Sequence, residues 1–558
     1  MTLASLAFTA GKGRHIVNSP DRIASIVIVG AGMAGLFLAL KLSPRPVTVI
    51  SAQLLGDGAS STWPQVGSAA AVGADDTADA HATDIIDAGA GLVDEAMAHL
   101  VAREAADRLD DLRDYGVPFD RDENGNLALS REPAHRAKRI IRCADDGSGK
   151  AVMSALIEAV RATPSITLLE DYEAQELVTE GDGPQQRVTG LYLSRPHDIA
   201  ARYKVTDVGA VVLATGGIGA LFRITTNPAH ARGDGVAIGA RAGAIVADAE
   251  FVQFHPTAID VDRDPVPLAT EALRADGATL VDGVGRSFMT DVHADAERAP
   301  RDVVARAVHR QIASGNGAFL DATKAIGSQF KNRFPTVYRG CMEAGIDPSI
   351  EPIPIAPAAH FHMGGLRTDA QARTNVDRLW AVGEVAATGA NGANQLASNA
   401  LLEAVVMAAR AATDIAQTVP VETCPATSKI TRERSLHLPD FGARTAALAM
   451  LRETMSRNVG MERDDESLRQ ALQTLKDIAA AGAGDPVIEN ATITARFVAE
   501  AALRRRETRG GHTRIDHPTS DPALARSRTM TLAGLSLRDS LASGEHFLAT
   551  TAGDGKLH

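Results

Sequence analysis

The sequence predicts an α/β fold built on a parallel sheet of the Rossmann type, and three observations predict it. The apolar run Ile26–Val29 leads through a glycine-rich turn into a helical pattern at Met33–Leu42, and a second apolar run follows at Val47–Ile50. This is the order of a strand–helix–strand unit. Further buried-strand patterns return much later, at Val211–Ala214 and Leu379–Val382. The carboxyl-terminal part, by contrast, carries apolar residues at helical spacing.

The remaining regular elements are predicted in chain order from the same periodicities. The earlier ones are helical periodicity over 80–115, a helix at Ala151–Val160, a strand at Ile166–Leu169, and two antiparallel strands, Glu176–Val178 and Val188–Leu193, around a Gly/Asp/Pro turn. The later ones are a helix at Leu401–Ala411, an amphipathic helix marked by Leu468, Ala471, Leu472, Leu475 and Ile478, and a helix over about 489–506.

Three stretches lack such a pattern. Residues 1–22 are predicted to form a loose leader, and residues 419–441, with Pro420, Pro425 and Pro439, to form a linker. From about 255 to 355 the strand–helix alternation stops, so we expect loops and short elements there, as in an inserted domain.

Composition and charge exclude several classes of protein. The chain has 558 residues, of which 45% are hydrophobic and 23% charged, which excludes a disordered chain or a small disulfide scaffold. Its net charge of −12, without a basic stripe, argues against nucleic acid as a partner. The three cysteines, Cys143, Cys341 and Cys424, are too far apart for a disulfide framework, a zinc site or an iron–sulfur site, so we predict no metal.

Location follows from the same simple features. The amino terminus lacks the basic segment that precedes the apolar part of a secretory signal. No uninterrupted apolar stretch reaches about 18 residues, so no membrane span is predicted. With the separate cysteines, these features predict a cytoplasmic protein.

The glycine-rich turn has the spacing of a dinucleotide-binding fingerprint. Its residues are Gly30, Ala31, Gly32, Met33, Ala34 and Gly35. The first glycine permits the tight turn, the second lets the backbone approach a pyrophosphate, and the third lets the helix pack on the strand. The diphosphate would then lie at the helix amino terminus, where free N–H groups favour anions. Ser51 stands where a ribose-binding acid is usual, which weakens a standard NAD site.

Several motifs in a fixed order extend this prediction. They are the fingerprint, Val47–Ser51, Ser60–Gly73, Ala214–Gly217, Gly233–Gly235 and Leu379–Glu384. With them the chain, from about residue 24 to 520, resembles the FAD flavoproteins of the succinate dehydrogenase/fumarate reductase/L-aspartate oxidase family. The resemblance implies a Rossmann-like FAD-binding domain (23–250 and 355–418), split by an inserted α+β capping domain (251–354) that holds the substrate. A helical domain (442–558) would follow the linker.

The resemblance also implies which residues bind FAD, with Glu384 holding the ribityl hydroxyls. The full set is Gly30, Ala31, Gly32, Met33, Ala34, Gly35, Ser51, Ser60, Ser61, Thr62, Gln65, Gly67, Asp234, Glu384, Ala400 and Leu401. The segment Ser60–Gln65 contains no histidine, so covalent attachment of the kind known in the respiratory enzymes is not expected.

A second group of motifs, Phe251–Thr257, Leu268–Arg274, Arg298–Asp302 and Ala358–Gly365, offers histidines, neutral donors and guanidinium groups. We predict a loop for the first of them. Such donors suit a dicarboxylate, because carboxylates favour several charge-assisted hydrogen bonds. The resemblance implies that Arg301 shuttles a proton beside the substrate. It further implies that His255, Gln253 and Thr270 bind one carboxylate with Glu271 nearby, and that His360 helps bind the other.

Two segments favour one branch of the family. Ser130–His135 is similar to the aspartate oxidase segment in which a glutamate contacts the substrate ammonium, which would be Glu132 here. A carboxylate at that place suits an amino acid and disfavours a plain dicarboxylate. The later run Arg505–His512 also resembles this branch, without a role that can be assigned to it.

Other positions depart from the family pattern. Gln395 replaces the arginine expected to bind a substrate carboxylate, and Ala400 lacks a hydroxyl expected at the flavin. Pro64 and Val66 replace an alanine and a glycine. These departures put the substrate in doubt more than the cofactor.

The resemblance therefore implies FAD-dependent oxidation of L-aspartate to iminoaspartate by hydride transfer to flavin N5. Oxygen or fumarate would be the acceptor, the product would feed NAD biosynthesis, and quinolinate synthase is a candidate partner. Two alternatives stay open: a fumarate reductase or dehydrogenase acting on another carboxylate, and an FAD-binding paralogue with little activity. A nicotinamide dehydrogenase rests on the fingerprint alone.

Overall fold

The computed structural model describes residues 22–62, 67–143, 147–420, 427–436, 438 and 441–535. Its helices are α1 (Met33–Leu42), α2 (Ala78–Ala88), α3 (Glu95–Asp114), α4 (Ser148–Ala162), α5 (Asp234–Arg241), α6 (Ala272–Ala275), α7 (Arg301–Ala313), α8 (Phe330–Arg333), α9 (Pro335–Glu343), α10 (Ala400–Thr418), α11 (Phe441–Asn458), α12 (Asp465–Ala481) and α13 (Pro486–Arg504). None of the helices in these ranges is both long enough and apolar enough to cross a bilayer.

Within the described residues the strands form five sheets. They are β1 (Arg22–Ala24), β2 (Ile26–Val29), β3 (Val47–Ser51), β4 (Ser68–Ala69), β5 (Leu129–Ser130), β6 (Ile140–Ile141), β7 (Ile166–Glu170), β8 (Glu173–Glu180), β9 (Arg187–Arg195), β10 (Asp198–Thr206), β11 (Ala210–Leu213), β12 (Val246–Ala247), β13 (Val252–Ile259), β14 (Thr279–Val281), β15 (Phe319–Asp321), β16 (Ile353–His362), β17 (Gly365–Arg367), β18 (Leu379–Ala381), β19 (Ala386–Ala387), β20 (Thr427–Arg432) and β21 (Thr529–Met530).

The central sheet is parallel, with the strand order β18-β11-β2-β3-β7. All four residues of β2 and of β11 are buried, as expected for strands covered on both faces. One face packs on α1, α4 and α10, and the other packs on the antiparallel sheet β1-β20-β10-β9-β8. The α/β fold predicted from the first strand–helix–strand unit is confirmed.

That antiparallel sheet corrects two predictions. Strand β20 lies inside the predicted linker and pairs with both β1 and β10. The prolines that suggested a linker flank the strand and do not interrupt it. Arg22, placed in the leader, belongs to β1, and residues 1–21 lie outside the described residues.

The inserted segment has an apolar cluster of its own, drawn from residues between Ile259 and Ile355. Its sheet has the order β13-β16-β15-β14. The loop predicted for Phe251–Thr257 is wrong, because residues 252–259 form β13, which is buried along its whole length and pairs with β16. The division into domains at the stated residues stays a prediction, which this separate cluster supports.

The helices predicted in the carboxyl-terminal part are confirmed, and they end at Arg504. Helices α11, α12 and α13 pack together and against Phe222 and Phe254. After Arg504 the chain continues without a long helix to β21, which pairs with β12. The helical periodicity over 80–115 also divides, into α2 and α3, because Gly89–Gly91 turns the chain and Ala90 has a φ of 55°.

Candidate active site

One cavity lies at the carboxyl ends of the parallel strands, where ligands of open α/β sheets bind. Its lining begins at the fingerprint and reaches the inserted segment at His255 and Arg301. The predicted site residues that line it are Gly30, Ala31, Gly32, Met33, Ala34, Ser51, Ser60, Ser61, Asp234, Glu384, Ala400, Leu401, His255, His360, Arg301 and Gln395. The fold thus brings residues predicted to bind cofactor and residues predicted to bind substrate to a single cavity.

The outer glycines of the fingerprint permit close packing of backbone. Gly30 has a φ of 114°, and a Cβ there would lie 2.1 Å from the carbonyl oxygen of Ala214. A Cβ on Gly35 would lie 2.0 Å from the carbonyl oxygen of Gly30. Gly35 therefore lets α1 pack on the turn and does not itself line the cavity, as the third glycine of such a motif should.

The amino terminus of α1 is suited to an anion. Gly32 is its N-cap, without a side-chain hydrogen bond, and the first turn has no acidic residue. Two oxygens in the cavity lining, Thr215 Oγ1 and Asn227 Oδ1, are buried without a hydrogen-bond partner among the described residues. Buried polar atoms without partners are costly, so these atoms fit a polar ligand such as a dinucleotide.

The residues predicted after the fingerprint, from Ser61 onward, have different contacts. Ser61 accepts a hydrogen bond from the Met33 N–H at 3.2 Å, at the helix terminus. Thr62 donates to the carbonyl of Ala59 at 2.6 Å and is not part of the cavity lining, so it supports the turn. Gly67 also lies away from the cavity, against the carbonyl of Ile141, and Gln65 lies outside the described residues.

Two acidic residues line the cavity at the ends of elements. Asp234 opens α5 and pairs with Arg232 at 3.2 Å. Glu384 accepts a hydrogen bond from the His362 N–H at 2.9 Å. Burial raises the pKa of Glu384 to about 8, so its carboxyl group is protonated at neutral pH and can donate as well as accept. A neutral carboxyl group suits the hydroxyls predicted to lie there.

We expect this raised pKa to make the FAD-free protein less stable as pH rises. The unfolded Glu384 titrates near its ordinary pKa of 4.5 and the folded one near 8, so the folded state binds more protons in between. Stability then falls with pH, by about 2 kcal/mol for this group between pH ~6 and 8. Chemical denaturation of the native protein and of Glu384→Gln at both pH values measures the difference. Glu123→Gln, an exposed loop residue, should keep the native pH dependence; equal pH dependence in all three would contradict the expectation.

At the other end of the cavity, Arg301 belongs to a buried charge network. Its Nε donates to Glu271 Oε2 at 2.9 Å, and the second oxygen of Glu271 accepts from Arg274 Nη2 at 2.7 Å. Burial acts to raise the pKa of Glu271, but Arg301 and Arg274 together hold it below its ordinary value. Glu271 is therefore an ionised bridge between two guanidinium groups. Sequence reasoning gave no role to Arg274, although it lies at helical spacing from Glu271.

His255 and His360 lie together, with ring centroids 5.1 Å apart. The Thr257 N–H donates to His255 Nδ1 at 3.3 Å, so this nitrogen accepts and the proton resides on Nε2. Burial lowers the pKa of His255 well below its ordinary range, and it lowers the pKa of His360 to about 3, with Arg301 acting the same way on both. Both rings are neutral, and the tautomer of His255 leaves its Nε2 as a donor. Thr226, which bonds His360 Nδ1 at 2.8 Å, was not singled out from sequence because no local spacing links them.

Gln253 and Thr270 do not line the cavity. The Gln253 Oε1 accepts from Arg301 Nη1 at 2.8 Å, and its Nε2 donates at 3.0 Å to both Asn394 Oδ1 and the carbonyl of Gln395. All of its hydrogen-bonding groups are thus engaged within the protein. Gln253 therefore holds Arg301 and the loop before α10 in place, and the direct carboxylate contact implied for it stays a prediction.

Glu132 is buried behind that loop. Ser398, which lines the cavity, donates to Glu132 Oε2 at 2.6 Å. The other oxygen, Oε1, has no hydrogen-bond partner in the described part of the chain, with Arg142 Nη2 3.6 Å away. Burial raises the pKa of Glu132, while Ser398 and Arg142 oppose the shift.

The run Arg505–His512 now has a structural role. Its buried Arg505 pairs with Glu250 and with Glu507. Two glycines within it touch the active-site loop: the Gly511 N–H donates to the carbonyl of Ala393 at 2.8 Å, and a Cβ on Gly510 would lie 2.3 Å from that oxygen. The carboxyl-terminal segment therefore packs directly behind Gln395.

Comparisons with known proteins give the family. Residues 25–401, more than half of the chain, match the model of an FAD binding domain, and residues 487–540 match the fumarate reductase flavoprotein C-terminus. The L-aspartate oxidase of Caulobacter vibrioides is 46% identical over 504 residues, covering 90% of this chain and 95% of that protein. The chain belongs to the L-aspartate oxidase family. The L-aspartate oxidase of Agrobacterium fabrum is 43% identical, covering 94% of this chain and 96% of that protein.

Solved structures agree on the architecture. Mycobacterium smegmatis Sdh1 is similar with a TM-score of 0.76 and 27% identity, covering 92% of this chain and 94% of that one. Escherichia coli quinol fumarate reductase FrdA has the same fold, with a TM-score of 0.78 at 24% identity over 90% of this chain and 93% of that one. As a member of the L-aspartate oxidase family, this chain is an FAD-dependent oxidoreductase, and its fingerprint end fits that cofactor.

Proposed function

We propose that the protein oxidises L-aspartate to iminoaspartate in NAD biosynthesis, with molecular oxygen or fumarate as acceptor. The curated relatives named L-aspartate oxidase, aligned over most of the chain, support this substrate. The observation on the site that carries it is Glu132 Oε1, a buried carboxylate oxygen without a hydrogen-bond partner in the described ranges, beside the cavity residue Ser398. Arg142 lies 3.6 Å from this oxygen, too far for a hydrogen bond, and an ammonium group would supply the missing charge-assisted donor.

The side chains divide the work as follows. Arg301, His255 and His360 donate to the substrate carboxylates, and Glu132 accepts from the ammonium. The cofactor, when bound, would supply the acceptor for the hydride that leaves the Cα of the substrate. A guanidinium keeps its proton in proteins, so Arg301 can pass a proton only if another arrives, and Glu271 with Arg274 forms a hydrogen-bonded path for it. Gln253 and Thr226 orient Arg301 and His360.

The proposed function also implies a cellular location and a partner for the enzyme. We place the enzyme in the cytoplasm, where the free, buried cysteines Cys143 and Cys341 would stay reduced; Cys424 lies outside the described residues. Iminoaspartate hydrolyses readily, so an enzyme that consumes it at once, such as quinolinate synthase, is the expected partner. FAD would be held without a covalent bond.

Anaerobic reduction of the flavin tests the substrate. We expect L-aspartate, but neither D-aspartate nor succinate, to bleach the visible absorbance of the purified holoenzyme. Glu132→Gln should weaken L-aspartate binding at least ~10-fold, because a neutral amide is a poorer partner for ammonium, and should not weaken succinate binding, because the repulsion of a dicarboxylate by Glu132 is removed. Bleaching by succinate alone would favour a dicarboxylate oxidoreductase, and bleaching by none of them a paralogue with little activity.

A further inference from the structure

Gln395 is a buried neutral donor in the substrate end of the cavity. Its side chain is 4% exposed and lines the cavity with Arg301, His255 and His360. Its Nε2 is buried without a hydrogen-bond partner among the described residues. An unpaired buried amide N–H costs free energy in the empty site, which a ligand oxygen would recover.

The position of Gln395 is fixed from two sides. Its backbone carbonyl accepts a hydrogen bond from Gln253 Nε2, and Gln253 Oε1 accepts one from Arg301. The side-chain amide of Gln253 therefore bridges the loop and the guanidinium group. Behind it, Gly511 holds the carbonyl of Ala393. The backbone that carries Gln395 is therefore held in place, and its side chain lines the same cavity as Arg301.

The charge at this wall is small. Arg301 and Arg274 bring two positive charges and Glu271 one negative charge, which leaves one net positive charge. Glu132 and Arg142 form a pair that adds none. His255 is neutral, because a backbone N–H occupies its Nδ1, and the buried His360 lies beside it with the hydroxyl of Thr226 at its Nδ1.

We propose that Gln395 makes this site selective for ligands with a single net negative charge. L-Aspartate is then bound in preference to the dianions succinate and fumarate. The electron acceptor is therefore molecular oxygen and not fumarate. This inference rests on the proposed function and specifies its substrate charge and its acceptor. A neutral amide offers a hydrogen bond to one carboxylate oxygen but no charge. The second negative charge of a dianion is then buried without a counter-charge, which is unfavourable in a low-dielectric site.

The redox balance is closed without fumarate. L-Aspartate loses its Cα hydrogen with two electrons and one amine proton, and a carbon–nitrogen double bond forms in iminoaspartate. Oxygen takes the two electrons and two protons and becomes hydrogen peroxide. Oxygen is small and uncharged, so its reduction needs no counter-charge from the cavity wall.

A matched pair of ligands tests the charge rule in binding. Succinate and succinamate have nearly the same size and differ by one negative charge. By calorimetry on the oxidised holoenzyme, we expect succinamate to bind at least as tightly as succinate. Gln395→Arg should shift the ratio of the two dissociation constants toward succinate by about tenfold or more. Gln395→Met should weaken both ligands and leave the ratio unchanged. Tighter succinate binding by the native protein, or an unchanged ratio in Gln395→Arg, would overturn the proposal.

Turnover tests the acceptor separately. With L-aspartate as donor, we expect kcat/KM for anaerobic fumarate reduction to lie at least ~10-fold below that in Gln395→Arg, with hydrogen peroxide formation dominant in the native protein. Equal use of fumarate by both would overturn the proposal. If L-aspartate fails to bleach the flavin, the proposed function fails, while the calorimetric ratio still decides the role of Gln395.

Discussion

Replacing Arg301 with lysine should lower kcat/KM for L-aspartate by on the order of 10³-fold while the protein still binds FAD. The guanidinium donates through Nε to Glu271 and through Nη1 to Gln253, and both hydrogen bonds leave its Nη2 for the ligand. A lysine ammonium is a single point and cannot hold these three directions at once. Stopped-flow reduction of the flavin under anaerobic conditions measures the loss directly.

The control for this substitution lies three residues earlier. Arg298→Lys makes the same chemical change at an exposed position and should keep native rates. Glu271→Gln gives an independent check. It removes the negative charge between Arg301 and Arg274 and should lower the rate of flavin reduction by L-aspartate. Native reduction rates in Arg301→Lys would show that a positive charge alone, in any geometry, is sufficient at this position.

The network around Arg301 shows where sequence reasoning stops. The order of motifs indicated that Arg301 and Glu271 share a site, and their hydrogen bond agrees with that indication. The division of Glu271 between two arginines, and the use of Gln253 as a support, depend on neighbours 30 and 48 residues away in the chain. Sequence periodicity does not indicate which distant residues bond to each other, because a side chain in a buried network is oriented by packing.

The fold shows a similar limit. Strand β2 and helix α1 were predicted closely, because apolar periodicity and the glycine turn are both local. Strand β20 was missed because it depends on pairing with β1 and β10, more than 200 residues earlier. Its alternation is weak and prolines lie on both sides. This inner strand of the sheet is thus specified by tertiary pairing and not by the local sequence.

Gly30→Ala should abolish FAD binding and destabilise the protein by about 3 kcal/mol or more. The added Cβ would lie 2.1 Å from the carbonyl oxygen of Ala214 and 2.6 Å from its carbonyl carbon, and both belong to backbone at the end of β11. Neither strand can yield without moving the turn that carries the amino terminus of α1. The φ of 114° adds strain for any residue with a Cβ. Flavin absorbance per protein and thermal unfolding measure both effects.

Gly285→Ala separates the two causes. Gly285 has a φ of 82°, but a Cβ there would find nothing within 4 Å, so only the backbone strain is introduced. We expect it to keep full FAD content and to lose about 1 kcal/mol of stability. A Gly30→Ala protein with full FAD and only this smaller loss would mean that the contact with Ala214 relaxes freely. A larger loss at Gly30 with no FAD would instead locate the effect in the close approach of β2 and β11, on which the placement of the diphosphate depends.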